Sequence, residues 1–249
     1  ALLALAALWL IGERDRTIFL LSAIPGALGV ISLFFVRDRK RDHAHRRLPG
    51  LSLSQFDRRF KLFLLASAIF AIGNSSDVFI ILRARDLGLS AFAAIFAYVI
   101  YNLVYSAFSM PAGTLSDRIG RRRVIAAGFF VFSVVYLGFA LAGNSTAVWP
   151  LFAVYGLYMA MTEGVGKAFV ADMAPPRAVG TALGTYHTLT GVLTFFSSLT
   201  AGLLWDAAGP RTPFFFGAGS GLIAMLVLLM AIRQNPGPVT PVPNRDNPL

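Results

Sequence analysis

The sequence predicts an all-α polytopic bundle of membrane-spanning helices, and three observations predict it. Of 249 residues, 56% are hydrophobic and only 14% charged, whereas soluble domains carry about a quarter charged residues. The apolar residues fall in runs of about 20, the length that crosses ~30 Å of hydrocarbon. Among all Asp, Glu, Lys and Arg, only Asp77, Glu163 and Lys167 lie inside those runs. Nothing alternates polar and apolar over ~10 residues, which sets a membrane β-barrel aside. The chain has no cysteine, so it offers neither a disulfide framework nor a thiolate metal site. No cofactor is called for.

The elements follow in order. Ala1–Leu10 is too short to span and closes on a charged turn, Gly12 to Arg16. It reads as the end of a helix whose start lies upstream, so the chain is expected to be a piece of a larger protein. Full spans are predicted over Thr17–Val36, Leu62–Leu82, Ser90–Gly113, Val124–Ala142, Trp149–Ala171, Thr181–Leu204 and Pro213–Ile232. These boundaries divide the chain into a two-helix remnant (1–36), a basic loop (37–61), a six-helix bundle (62–232) and a tail (233–249). The Pro- and Asn-rich tail is expected to be disordered.

The net charge of +10 could suggest nucleic acid, but its distribution argues otherwise. Alternate loops hold sixteen Lys and Arg on one side and five on the other. That asymmetry places the sixteen-residue set and the C-terminus in the cytoplasm, where they also meet anionic lipid. The charge is read as topology, with no nucleic acid as partner. The expected location is the plasma membrane.

The turn after Ser90–Gly113 carries the most specific motif: Gly113-Thr-Leu-Ser-Asp117-Arg118-Ile-Gly120-Arg121-Arg122-Arg123. Two helices reverse direction there, so its glycines suit close approach and a tight turn. Asp117 suits a neighbouring helix N-terminus, where the dipole favours an anion. The arginines suit lipid phosphate or partner carboxylates.

This pattern resembles the signature loop of the major facilitator superfamily of secondary transporters. In that family the loop links helices 2 and 3 and recurs between helices 8 and 9. The span count fits the second copy, so the resemblance implies a chain running from the end of helix 5 through helix 12. Ala171-Asp172-Met-Ala-Pro175 ahead of Gly180-Thr-Ala-Leu-Gly184 is similar to a second family pattern. Many members carry Arg before that first glycine; this chain has Val179. The resemblance implies helices 7, 8, 10 and 11 around a central cavity, with 9 and 12 outside. It also implies that Asp117 sits against helix 5, and that the missing N-terminal half completes the protein.

Polar residues agree with that arrangement. Val124–Ala142 and Pro213–Ile232 contain almost none and are expected to face lipid. In the helix 7 candidate, Gly73-Asn74-Ser75-Ser76-Asp77 interrupts an apolar run, and such a break is tolerated where it lines a cavity or packs on protein. Asn74 and Asp77 share a face there, although Asp77 could equally sit at the wet interface. Tyr98, Tyr101, Asn102 and Tyr105 share a face of the helix 8 candidate by their three- and four-residue spacing. Aromatic stripes more often serve packing, but mid-span Tyr101 and Asn102 favour cavity lining.

In the helix 10 candidate, Gly156, Ala160 and Gly164 form a small-residue face for close helix contact. Glu163 and Lys167 are four apart, in the order that favours pairing. A mid-bilayer carboxylate is a functional-site hypothesis by default, against which stands a self-neutralising pair with Lys167 reaching the surface. His187 in the helix 11 candidate comes to a similar depth, and histidine is the residue type best suited to proton coupling, though a lone His is more often a packing residue. Glu163 is the expected proton-coupling group, with His187 passing the proton on.

Enzyme motifs are absent: there is no H-E-x-x-H, no G-x-S-x-G and no P-loop. A Ser220–His187 dyad would require a serine on the helix 12 candidate to act inside lipid. The reading is therefore a non-enzyme: proton-coupled transport of a small organic solute, a drug or metabolite, by alternating access, with efflux as one direction. The alternative is a receptor or scaffold that keeps the fold without transporting.

Overall fold

The computed structural model describes residues 56–231 apart from Arg177, with a few isolated positions between 24 and 35. The predicted Ala1–Leu10 end, nearly all of the Thr17–Val36 span, the basic loop up to residue 55 and the tail lie outside the described residues. Within them there are seven helices, one turn of 3-10 helix and no strand. The helices are α1 (Arg58–Gly73), α2 (Val78–Asp86), α3 (Ala91–Ile119), α4 (Arg121–Leu141), α5 (Val148–Met173), α6 (Val179–Ala208) and α7 (Thr212–Ala231). Five among the described residues, α1 with α2 counted as one, α3, α4, α6 and α7, are long and apolar enough to cross a membrane.

The helices outrun the apolar runs that predict them. α3 has 29 residues and α6 has 30, about 45 Å at 1.5 Å per residue, so their ends project beyond the hydrocarbon. One consequence revises the signature motif. Gly113, Asp117 and Arg118 lie in the last turns of α3 rather than in a loop, and Gly113 has open space around it. The turn itself is Gly120, whose φ of +98° suits a residue without a Cβ. α3 begins at Ser90, whose side chain accepts the Ala93 N–H, satisfying one of the open donors of a first turn. This Gly120 end of the bundle is called the basic end below.

The predicted Leu62–Leu82 span is split. α1 stops at Gly73, residues 74–77 leave the helix, and α2 resumes at Val78. The break coincides with a tight crossing: a Cβ on Gly73 would collide with Ser220 of α7. Ser220 donates to the Ile69 carbonyl, so its hydroxyl is committed to packing and no dyad with His187 forms. The backbones of α3 and α5 also meet closely, since a Cβ on Gly156 would lie 2.5 Å from the Tyr101 carbonyl oxygen. Gly164, expected on the same small-residue face, has open space instead.

α4 is packed more deeply than the lipid-facing expectation implied, while keeping one exposed apolar face. It packs on both α5 and α7, and Phe129, Phe132, Ser133, Val135, Tyr136 and Phe139 are all buried. Only one face, with Phe130, Val134, Leu137 and Leu141, stays exposed. An apolar helix is as ready to pack on aromatic neighbours as on lipid, so the shortage of polar residues did not separate the two. Phe70 of α1 stacks on Phe129 at 4.3 Å between ring centroids, and Phe132 stands 5.1 Å from Tyr158 of α5.

Two arginines tie helix ends together. Arg83, 2% exposed, donates to the Phe139 carbonyl at 3.1 Å and the Ala142 carbonyl at 2.9 Å, and pairs with Asp86. At the basic end Arg122 donates to the Leu228 carbonyl at 3.2 Å and to the Leu229 carbonyl. Each places a cation where the last carbonyls of a helix lack donors and the dipole is negative.

Candidate functional site

A cavity of about 190 Å³ opens between α1, α4, α5 and α6. Its apolar wall is aromatic: Phe63 and Phe70 of α1, Phe129 of α4 and Tyr186 of α6. Its polar wall holds Ser67 of α1 and Asn74 of the break after it, Thr162 and Glu163 of α5, and His187, Thr190 and Thr194 of α6. Three of the expected residues, Asn74, Glu163 and His187, thus meet on one surface. Ser67 Oγ and Asn74 Oδ1 are buried without a hydrogen-bond partner, which is costly in a folded chain and leaves both open to a ligand or water.

Glu163 is not isolated. Lys167 Nζ lies 2.5 Å from Glu163 Oε1, one turn on, and both side chains are 44% exposed. The pair presents a carboxylate and an ammonium with no net charge between them. His187 is exposed and packs edge-on to Tyr186 with ring centroids 5.3 Å apart.

A second polar cluster lies at the helix break. Asp77 Oδ1 accepts from the Tyr155 hydroxyl at 2.7 Å, and Oδ2 accepts from the Tyr98 hydroxyl at 3.2 Å. Asn74 Nδ2 donates to the Tyr158 hydroxyl at 3.4 Å, and the Ser76 N–H donates to Ser198 Oγ at 3.1 Å. Asn74, Ser76 and Asp77 are therefore each bound by a helix other than their own. Counting from the starts of α3 and α5, Tyr98 and Tyr155 each sit about 10 Å inside the bundle. Asp77 is held within protein there.

The helix 8 candidates divide. Tyr101 is buried between Tyr98, Tyr105 and Tyr155, with its centroid 5.2 Å from that of Tyr155. Asn102 Nδ2 is taken up by the Tyr98 carbonyl at 2.7 Å within its own helix. Tyr105 is half-buried against the core. Neither these three nor Tyr98 line the cavity. Tyr136, Tyr155 and Tyr158 were missed by sequence reasoning. A signal was available, because Tyr155 lies six residues into its predicted span and Asp77 five from the end of its own, which puts the two at similar depth.

The signature residues meet at the basic end. Arg121 reaches Asp172 of α5 at 2.8 Å and Asp117 of α3 at 3.3 Å. Asp117 thus pairs with Arg121 rather than with a helix N-terminus among the described residues. Arg118 is exposed beside Met110, Pro111 and Leu115, while Arg122 is spent on α7.

A Major Facilitator Superfamily profile matches residues 62–248. The chain belongs to that superfamily. It is 36% identical over 218 residues to the uncharacterized MFS-type transporter MJ1317 of Methanocaldococcus jannaschii, covering 85% of this chain and 54% of that protein. It is 25% identical over 180 residues to the uncharacterized MFS-type transporter Rv1250 of Mycobacterium tuberculosis, covering 71% of this chain and 30% of that one. The multidrug resistance protein MdtG of Serratia proteamaculans is 29% identical over 175 residues, 68% of this chain and 41% of MdtG. The chain spans about half the length of the first of these relatives, and less of the others. Membership of this superfamily, together with the apolar helices, makes this an integral multi-pass membrane protein.

Proposed function

We propose that the whole protein is a proton-coupled secondary transporter of a small organic solute. Residues 62–232 form its C-terminal six-helix half, joined by the basic loop 37–61 to a half that begins upstream. The basic end and the C-terminus face the cytoplasm of a plasma membrane, because the Lys and Arg of alternate loops are so unevenly divided. The observation that carries the reading is the cavity at membrane depth. Aromatic rings on one wall and Asn74, Glu163 and His187 on the other suit a solute with an apolar body and a polar end. Two halves rocking about such a midplane site give alternating access. A relative named for multidrug resistance supports a drug-like solute and efflux. Proton coupling needs a carboxyl group that exchanges its proton inside the bundle, and two stand there, Glu163 and Asp77.

The test is solute flux in proteoliposomes of the full-length protein, across a panel of small organic solutes and with the pH gradient imposed in either direction. Flux that follows the gradient and is absent from empty liposomes is expected. Binding of a panel solute without flux would instead favour a receptor or scaffold of the same fold.

A further inference from the structure

We propose that Asp77, walled by Tyr98 and Tyr155, is the carboxyl group that loads and releases the coupled proton, at a site separate from the solute cavity. The inference rests on the proton-coupled reading above and assigns its ion site. Asp86, Asp117, Glu163 and Asp172 each have a Lys or Arg partner. Asp77 has none among the described residues; its oxygens accept from two phenols. For Glu163 to take a proton, it must give up an ammonium 2.5 Å away. Asp77 gives up nothing of the kind.

The surroundings of Asp77 hold no competing charge among the described residues. α3 turns Tyr98 and Tyr101 toward it, α5 turns Tyr155 and Tyr158, and α4 adds Tyr136 behind them. α6 offers Ser198 to the neighbouring Ser76 N–H; along that helix His187 lies about 16 Å one way and the exposed Asp206 about 12 Å the other. α7 carries no titratable side chain. On α2 itself Arg83 is committed to Asp86 and to two carbonyls of the α4 end.

Phenol hydroxyls suit a proton better than a metal ion. Each can donate or accept by rotating its hydrogen. A proton taken from water forms an O–H bond on one Asp77 oxygen, which then donates to one tyrosine while the other oxygen keeps its donor. Release returns that proton to water, and the phenols stay neutral throughout.

Protonation would also reach the fold. Hydrogen bonds to a carboxylate are about twice as strong as those between neutral groups. Neutralising Asp77 therefore loosens the hold of α3 and α5 on the break between α1 and α2. That break joins α2 to α1 at the end of the bundle opposite the basic turn.

The experiment is a pH titration of the full-length protein in dodecyl maltoside by infrared difference spectroscopy, which needs no solute. A carboxylic acid C=O band should appear as the pH falls. It should be missing in Asp77→Asn, retained in Glu163→Gln, and moved in frequency in Tyr155→Phe. Exchanging potassium chloride for sodium chloride should leave it unchanged. The assignment is overturned by any of four results: no titrating band, a band that survives Asp77→Asn, one lost in Glu163→Gln, or one removed by sodium. Should Asp77→Asn fail to fold, Tyr98→Phe and Tyr155→Phe decide the matter, because a band that neither of them moves belongs to another carboxyl. Solute flux with no titrating Asp77 would leave the transport reading intact and sink this one alone.

Discussion

The Tyr155 hydroxyl donates a 2.7 Å hydrogen bond to Asp77 Oδ1, fastening α5 to the break between α1 and α2. Tyr98 does the same from α3, but at 3.2 Å. Tyr155 is fully buried, and Tyr98 is not. Hydrogen bonds to charged groups contribute about 1.5–3 kcal/mol when buried. Tyr155→Phe should therefore cost about that much stability, and Tyr98→Phe roughly half as much. Thermal unfolding of the purified protein, followed by intrinsic fluorescence, compares them. Equal losses would mean that distance and burial do not rank the two bonds.

Arg83 is counted in the sequence as a loop arginine, yet it is among the most buried polar residues described. Its removal leaves the Phe139 and Ala142 carbonyls without their donors at the end of α4. Arg83→Ala should lower stability by about 2 kcal/mol. Arg83→Lys should recover little, because one ammonium cannot reproduce the guanidinium fork across two carbonyls and a carboxylate. A Lys variant as stable as the parent in the same unfolding measurement would show that charge alone suffices.

These two residues mark what was legible in the sequence. Helix number, order and approximate extent follow from run length and hydropathy, because in hydrocarbon a chain must satisfy its backbone internally. The break at 74–77 shows as a polar interruption, and the pairing of Glu163 with Lys167 follows from spacing alone. The partners of Asp77 are different. Tyr98 and Tyr155 lie on two other helices, and which helices touch is set by packing that no local pattern carries. For the same reason the depth to which α4 packs on α5 and α7 did not show. Hydropathy measures how well a residue avoids water, not whether its neighbour is lipid or Phe70.

Arg121 sits between Asp172 at 2.8 Å and Asp117 at 3.3 Å, and all three side chains are partly or largely exposed. Exposed ion pairs contribute up to about 1 kcal/mol, so their loss should barely change folding. Asp117→Asn and Asp172→Asn should nonetheless each cripple transport by the full-length protein, with Asp172→Asn at least as severe. Flux per inserted molecule, normalised by immunoblot of the membrane fraction, is the readout. Full flux in Asp172→Asn would reduce Arg121 to a marker of topology.

Topology has its own check. Cysteines placed at Arg41 and after Leu249 should react with an impermeant maleimide only once the cytoplasmic side is opened, whereas one at Asn144 should react from outside. Asn144 suits the purpose because its side chain only caps the short 3-10 turn, through the Ala147 N–H. Labelling of Asn144 from the cytoplasm would invert the orientation assigned from the loop charges.

The Glu163–Lys167 pair yields the most discriminating prediction. Both groups stand on α5, half exposed, 2.5 Å apart, with Glu163 on the cavity wall. Removing one partner leaves the other charge uncompensated, which costs more than removing both. Glu163→Gln and Lys167→Met should thus each raise the KM for solute by about tenfold, equivalent to 1.4 kcal/mol. The double variant should sit closer to the parent than either single one. Under the assignment of the proton to Asp77, all three variants keep the dependence of flux on the pH gradient. A proton handled at Glu163 instead would leave Glu163→Gln and the double variant equally uncoupled, whatever their KM. Measuring KM and gradient dependence on the same proteoliposomes therefore separates a carboxylate that shapes the solute cavity from one that carries the proton.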